Sequence, residues 1–149
     1  MSEEKQYITF NLEEDYGIEL TRIKEIIRNQ ELTKIPEAPE YILGVLNLRG
    51  TAVPVINLRK LFKLPLKEVN NYSVIIVVEI LGRLIGILVD GVSDMIAVKS
   101  EDIKEPPKFS ERKGAKFLEG MYEKDKKFIM LLDVDRMFTD DEIEVIDGI

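Results

Sequence analysis

The sequence predicts a predominantly β fold in which two pseudo-symmetric β-barrels of about five strands each pack together, with only short helices between strands. Short runs of alternating or continuous apolar residues, rich in β-branched side chains, recur along the chain. Turn-forming residues separate these runs at short intervals. The first and second parts of the chain also align with each other, as expected if one structural unit occurs twice.

The strands are predicted at the apolar runs, which occur in the order YITFNL, LTKI, GVLNLR, AVPVIN, SVIIVVEI, RLIGILV, MIAV, FLEGMY and KFIMLLDV. Between these runs lie dipeptides that favour tight turns, among them Arg49-Gly50, Leu81-Gly82 and Lys124-Asp125. The connections between neighbouring strands are therefore expected to be hairpins and meanders.

Short helices are expected at three places. The first spans Thr21 to Arg28 and has its isoleucines on one face. The second spans Leu58 to Leu64 and is capped by Asn57. A late helix starts at Thr139, because Thr139 and Glu142 have the spacing of a capping box.

Two constant offsets in residue number relate the two parts of the chain. At the first offset (86 − 17 = 69), Gly17, Leu20, Ile23 and Ile26 align with Gly86, Val89, Val92 and Met95. At the second offset (120 − 44 = 76), Gly44 aligns with Gly120, and INLRKLF (56–62) aligns with LDVDRMF (132–138). The shared order of strands and short helices favours a repeat over a chance alignment of two β-rich segments.

The repeat divides a single domain, residues 1–149, into a first barrel at 7–66 and a second at 72–140. Residues 141–149 are expected to form a C-terminal tail or a short helix. Units of this size bury too little surface to be stable alone, so the barrels should pack against each other. The junction between them is expected to form a groove in which a partner can bind.

The composition restricts the possible functions. The formal net charge of −7 disfavours nucleic acid and anionic lipid as partners. The chain has neither Cys nor His, which excludes disulfides and thiolate metal sites and disfavours a hydrolytic triad, and no cofactor is expected. MSEEKQY lacks the pattern of a signal peptide and the apolar run Val74 to Val78 is too short to span a bilayer, so a cytoplasmic location is expected.

The most distinctive segment is GVLNLRGTAVPVINLRKLF, residues 44–62. Gly50 is expected to adopt the positive φ of a tight turn, which places Arg49 at the end of a strand. An arginine in that position is either simply solvated or part of a binding site, and the pattern alone leaves both interpretations open. Pro54 cannot donate to a strand ladder, so its strand is expected to have a free edge.

Other residues also fit more than one interpretation. Six apolar side chains suit either the core or a partner-binding face: Ile8, Leu20, Ile23, Val45, Val92 and Met95. Asp133 and Asp135 could suggest a metal-dependent enzyme, but they lack the spacing of a calcium loop and suit a solvated acidic segment. Small barrels also bind RNA or single-stranded DNA, although the acidic balance and the absence of Trp disfavour that function here.

Five segments resemble the CheW coupling proteins of bacterial chemotaxis in order and spacing. They are YGIELTRIKEII (16–27), IPEAPEYILGVLNLRGTAVPVINLRKLF (35–62), SVIIVVEILGRLIGILVDGVSDMI (73–96), IKEPPKF (103–109) and FLEGMYEKDKKFIMLLDVDRMF (117–138). The resemblance implies two SH3-like barrels related by pseudo-symmetry. It also implies a non-enzymatic adaptor that joins methyl-accepting chemoreceptors to the histidine kinase CheA in signalling arrays.

The resemblance implies a site for each partner. The cytoplasmic tip of the receptor is expected in the groove between the barrels, at positions matching Glu25, Gly44, Val45, Asn47, Arg49, Val92 and Met95. Glu25 is the expected ion-pair partner of Arg49. The regulatory domain of CheA is expected at positions matching Ile8, Leu20, Ile23, Lys104 and Phe109. The charged insert ERKGAK (111–116), just after Phe109, departs from the family pattern.

Overall fold

The computed structural model describes residues 3–70, 72–106 and 117–149. Its strands are β1 (Glu4–Leu12), β2 (Glu14–Glu19), β3 (Ile23–Arg28), β4 (Ile42–Leu48), β5 (Thr51–Asn57), β6 (Val74–Ile80), β7 (Arg83–Val89), β8 (Gly91–Lys99), β9 (Leu118–Lys124) and β10 (Lys127–Leu132). The helices are α1 (Leu58–Leu61) and α2 (Asp140–Asp147), and 3₁₀ turns occur at Leu20–Arg22, Ser100–Asp102 and Val134–Arg136.

The strands form two five-stranded sheets that repeat the same topology. Sheet A has the order β8-β1-β2-β10-β9, and sheet B has the order β3-β6-β7-β5-β4. Strands β1 to β5 of the first copy correspond in order to β6 to β10 of the second copy. If each strand of sheet A is replaced by its counterpart in the other copy, the strand order of sheet B results. Each sheet has a parallel pair at the same place, β2 with β10 and β5 with β7. The internal repeat and the mostly β, SH3-like fold are therefore confirmed, although neither sheet closes by hydrogen bonds between its outermost strands.

Each sheet takes strands from both copies of the repeat. The hairpin β1–β2 joins β8, β9 and β10, whereas the hairpin β6–β7 joins β3, β4 and β5. The boundaries expected from the sequence, 7–66 and 72–140, therefore separate the two copies of the repeat but not the two sheets. A two-stranded hairpin is marginally stable alone, and the strands of the other copy extend its ladder on both sides.

The helix expected at Thr21 to Arg28 is wrong. This segment forms a 3₁₀ turn at Leu20–Arg22 followed by strand β3, which pairs antiparallel with β6. Its residues alternate between half-buried and exposed, as in a strand with one covered face. β-Branched isoleucines favour strands, and the ladder to β6 decides a pattern that also fitted one face of a helix.

The two other expected helices are confirmed, with shorter bounds for the first. Asn57 caps α1 by accepting the Lys60 N–H at 3.3 Å. At the start of α2, the Thr139 hydroxyl accepts the Glu142 N–H at 3.2 Å and the Glu142 carboxylate accepts the Thr139 N–H at 2.8 Å, completing the predicted capping box. Across the described ranges of the chain, no helix is long and apolar enough to cross a membrane.

Apolar side chains fill the space between the sheets, and each sheet also carries an apolar cluster of its own. The largest cluster lies between the sheets and includes Phe10, Ile18, Ile56, Ile76 and Val134. A second cluster lines sheet B and contains Leu46, Val53, Val55, Ile75, Val77 and Leu88. A third lines sheet A and contains Tyr7, Ile96, Val98, Ile129 and Leu131. Alternate residues of β6 belong to the first and second clusters, so both faces of this strand are covered. Its sequence is therefore a continuous apolar run instead of an alternating one.

Pro54 occupies a locally free stretch of an interior strand. β5 lies between β4 and β7, so it is not an edge strand as a whole, but its pairing with β7 begins only at Val55. On the other side Pro54 faces Val45, whose backbone N–H and C=O both bond to Thr33 instead. The Pro54 nitrogen therefore points to the side where β7 is not yet paired. The expected free edge is wrong: β5 is an interior strand, and it tolerates Pro54 because the ladder to β7 starts one residue later.

Candidate protein-binding site

The tight turn between β4 and β5 presents Arg49 at the surface. Arg49 and Gly50 have φ values of 50° and 88°, the two consecutive left-handed residues of a type I′ hairpin turn. The Asn47 side chain accepts the Gly50 N–H at 2.8 Å and so stabilises this turn. The predicted positive φ at Gly50 is confirmed, and Asn47 has a structural bond that the sequence did not indicate.

Arg49 forms the predicted ion pair with Glu25. Its Nη2 lies 2.9 Å from Glu25 Oε2 and its Nη1 lies 3.3 Å from Oε1, which makes the pair bidentate. The hydrogen bond from Arg49 lowers the pKa of Glu25. Because Glu25 lies on β3 and Arg49 follows β4, the pair connects the two outermost strands of sheet B, which share no backbone ladder.

Sheet A has a corresponding ion pair that sequence reasoning missed. Lys124, at the end of β9, lies 3.3 Å from Asp94 on β8, and these strands are the outermost strands of sheet A. Asp94 is the repeat equivalent of Glu25 at the first offset (94 − 25 = 69). The Met95 backbone N–H and then the Lys124 ammonium lower the pKa of Asp94. The first offset identifies Asp94 as the counterpart of Glu25, but the second offset places Asp125 rather than Lys124 opposite Arg49 (49 + 76 = 125), so the repeat could have indicated only the acidic member of this pair.

An apolar strip is exposed on β8 and the neighbouring β1. Val92 and Met95 remain 39% and 51% exposed, although aliphatic side chains of this size are usually covered. Met95 lies directly opposite Ile8, and Val92 lies opposite Phe10. Ile8 was expected to bind the kinase and Met95 the receptor, so the two expected surfaces meet here at one cross-strand pair.

The remaining residues expected to bind the receptor lie on β4 of sheet B. Gly44 is buried and approaches the 32–33 segment so closely that a Cβ atom would lie 2.6 Å from the Thr33 carbonyl oxygen. Val45 is half-buried and forms two backbone bonds to Thr33, at 2.8 and 3.0 Å. The expected receptor residues therefore come from both sheets, and Gly44 has a structural role independent of any partner.

The residues expected to bind the kinase are scattered over the surface. Leu20 is half-buried in the 3₁₀ turn after β2, and Ile23 packs against the core between the sheets. Lys104 lies 3.3 Å from Glu123, and its ammonium is 5.4 Å from the centre of the Phe128 ring. Phe109 and the insert 111–116 lie outside the described residues.

Arg59 lies at a buried corner that the sequence did not indicate as part of a site. Its side chain is only 5% exposed and it donates to both carboxylate oxygens of Asp90, to Glu13 and to the Pro65 carbonyl. Asp90 directly precedes β8, and the adjacent surface cavity of about 270 Å³ is lined by Asn11, Lys67, Asn70, Tyr72, Asp90, Gly91 and Val92. The corner therefore adjoins one end of the apolar strip.

The acidic residues considered for metal binding have other partners. Asp133 accepts the Asp135 N–H at 3.0 Å and pairs with Arg136, while Asp135 forms a two-pronged pair with Arg22 at 2.6 and 2.7 Å. Among residues 3–70, 72–106 and 117–149, no group of three or more Asp or Glu side chains is placed to hold a metal ion. These carboxylates serve as a cap and as ion-pair partners.

The architecture is that of a double SH3-like β module, and comparison with known proteins specifies its family. The model of the CheW-like domain matches residues 6–142. The chain belongs to the CheW-like domain family.

Individual relatives match over nearly the full length of both chains. The chemotaxis protein CheW of Klebsiella aerogenes is 32% identical over 97% of this chain and 88% of its own length. The chemotaxis protein CheW of Treponema pallidum is 33% identical, over 95% of this chain and 86% of its own. The crystal structure of the scaffolding protein TtCheW from Thermoanaerobacter tengcongensis superposes with a TM-score of 0.84 at 36% identity, covering 91% of this chain and 93% of that one.

Proposed function

We propose that this protein is a chemotaxis scaffold that couples methyl-accepting chemoreceptors to the histidine kinase CheA. The observation that carries the proposal is its similarity, along nearly the whole chain, to proteins named chemotaxis protein CheW and to a solved scaffolding protein of that name. The proposal places the protein in the cytoplasm, where its partners recruit it to receptor arrays at the membrane.

The surface features support a function in binding rather than in catalysis. Val92 and Met95 form an apolar strip that a partner helix can cover. Arg49 and Glu25 are available for polar contacts at the seam of sheet B, the place where their ion pair connects the two outermost strands. Interfaces of this kind commonly have an apolar centre and a polar rim. The proposed action is therefore to hold receptor and kinase together by mass action, without covalent chemistry.

The direct test measures binding of the protein to each proposed partner separately. Isothermal titration with a CheA regulatory domain and with a receptor tip fragment should show both interactions at concentrations up to about tens of micromolar, a plausible range for transient signalling contacts. Divalent metal and single-stranded DNA serve as negative controls. If neither protein partner binds, the scaffold proposal fails.

Arg49 provides a sharper test because the chain contains a matched control. Arg49→Ala should weaken binding to the receptor tip, since it removes the bidentate partner of Glu25 from the proposed groove. Lys124→Ala removes the corresponding pair with Asp94 from sheet A and should weaken receptor binding less. Both variants should keep the wild-type fold by circular dichroism, because both ion pairs lie at the surface.

The outcome that contradicts the role of Arg49 is also specific. Equal losses of receptor affinity in the two variants would show a general effect of removing a seam ion pair. A loss of fold in Arg49→Ala alone would make Arg49 a structural residue. Restored binding in the charge-exchanged double variant Arg49→Glu, Glu25→Arg would show that the pair matters only by holding the seam.

A further inference from the structure

The corner around Arg59 connects parts of the chain that are distant in sequence. Arg59 Nη1 lies 2.6 Å from Glu13 in the β1–β2 turn and 2.6 Å from the Pro65 carbonyl, in the segment between α1 and β6. Its Nε lies 2.9 Å from Asp90 Oδ1, at the turn between β7 and β8. A guanidinium has five donors in one plane, so it can hold three such groups in a fixed geometry where a lysine cannot.

Asp90 fixes the first residues of β8. Its carboxylate is held by Arg59, and its backbone N–H bonds to the Asn11 carbonyl at 3.2 Å. The next residue, Gly91, lies next to Tyr72, where an added Cβ would make ordinary contact with the Tyr72 carbonyl oxygen at 3.4 Å. Val92 follows directly, is 39% exposed and pairs with Phe10 of β1, so it is set from one side by this ladder and from the other by the corner at Asp90.

The other copy of the repeat has a corner with the charges reversed. Asp135 is the repeat equivalent of Arg59 at the second offset (135 − 59 = 76), and it pairs with Arg22. Arg22 also donates to the Glu79 carbonyl at 3.0 Å and directly precedes Ile23, the first residue of β3. Ile23 is the repeat equivalent of Val92 at the first offset (92 − 23 = 69). Each corner thus connects the start of an outermost strand to a short helical segment. The first connects β8 to α1, which follows β5, and the second connects β3 to the 3₁₀ turn that follows β10.

We propose that Arg59 is a positioning residue for receptor binding, which acts through Asp90 to fix the start of β8 and so the orientation of Val92. The inference rests on the proposed function, because it takes the receptor as the partner that covers Val92. Arg22, at the more exposed corner, holds the start of β3, whose first residue, Ile23, was expected at the kinase surface. The two corners therefore give a matched pair of sites within one chain.

The test compares Arg59→Met and Arg22→Met in separate titrations with a receptor tip fragment and a CheA regulatory domain, well below each unfolding midpoint. Arg59→Met should weaken receptor binding about tenfold, the size of effect seen for residues that act at one remove from a ligand. Its affinity for the kinase domain should stay within about twofold of wild type, a difference below about 1 kcal/mol. Arg22→Met should weaken receptor binding less than Arg59→Met does, because Val92 lies on β8 and not on the strand that Arg22 holds.

Two further variants separate positioning from a general loss of stability. Arg59→Lys keeps the charge but not the three-way geometry, so its receptor affinity should fall between those of wild type and Arg59→Met. If Arg59→Met does not fold, Asp90→Asn tests the same corner from its acidic side. Receptor affinity that is unchanged in every folded corner variant, or that falls together with kinase affinity, would overturn the proposal.

A second readout does not depend on any partner. Amide hydrogen exchange should be faster at residues 91–94 in Arg59→Met than in wild type, and unchanged at 23–26. Unchanged exchange at 91–94 would overturn the positioning role even if wild-type binding is normal. If wild type fails to bind the receptor tip but exchange responds as expected, the proposed function fails while the corner still positions β8.

Discussion

Replacing Gly44 by Ala tests whether this residue is needed as a partner contact or by the fold itself. Gly44 has a φ of 154°, a conformation nearly restricted to glycine. An alanine Cβ would lie 2.6 Å from the Thr33 carbonyl oxygen and 3.1 Å from Leu32 Cβ. The first of these contacts is with backbone, so the 32–33 segment must move and the bridge from Thr33 to Val45 must weaken.

Two separate terms set the size of the expected effect. The unfavourable φ contributes about 1–3 kcal/mol, and the forced displacement contributes about 1–3 kcal/mol. Their combination predicts a loss of about 3 kcal/mol in the free energy of unfolding. For a chain of this length each kcal/mol lowers the unfolding midpoint by about 3 °C, so the expected shift is about 9 °C.

Gly50→Ala is the control for the backbone term alone. Gly50 has a φ of 88°, but an added Cβ would meet no atom within 4 Å. Its midpoint should therefore fall by only about 3 °C, from about 1 kcal/mol of conformational strain. Thermal unfolding followed by circular dichroism measures both variants. A shift for Gly44→Ala no larger than that for Gly50→Ala would refute the close-contact reasoning.

Three other predictions follow from burial and topology. Arg59→Ala should lower the free energy of unfolding by about 2 kcal/mol because it removes a buried side chain and leaves the partly buried Asp90 carboxylate with only the more distant Lys67 ammonium, whereas Arg22→Ala at the exposed corner should cost less than about 1 kcal/mol in the same urea titration. Burial raises the pKa of Tyr7, so its contribution to stability is complete below the unfolded-state pKa and is lost as pH rises above it. Tyr7→Phe should therefore flatten the alkaline loss of stability in urea titrations across that range. Fragments 3–70 and 72–149 should each be unfolded alone and recover strand circular dichroism on mixing, because each sheet needs strands from both; independent folding of either fragment would contradict this.

Local features of the site were predictable wherever a few neighbouring residues fix the geometry. The Thr139 and Glu142 capping box and the left-handed Gly50 depend on short-range hydrogen bonds and on local sterics, which the sequence displays directly. The pairing of Arg49 with Glu25 was expected from the family resemblance and is confirmed by its geometry. The ion pair of Asp94 with Lys124 was missed, although the first repeat offset pointed to Asp94.

Features that depend on distant strands were not predictable in the same way. The segment Thr21 to Arg28 has isoleucines that suit one face of a helix as well as alternate positions of a strand. Only the ladder with β6 selects the strand. Arg59 similarly appeared as one charge on a short helix, and its importance depends on three acceptors brought together from distant turns.

The sequence by itself determined that this protein is mostly β, that its two parts repeat one pattern, and that it resembles the CheW family. These properties follow from composition, alternation and turn residues, which act over a few positions. Tertiary structure decided that the hairpins β1–β2 and β6–β7 exchange places between the sheets. The two copies have nearly the same strand pattern, so either hairpin suits either sheet locally, and only the shared apolar core between the sheets fixes which pairing is formed.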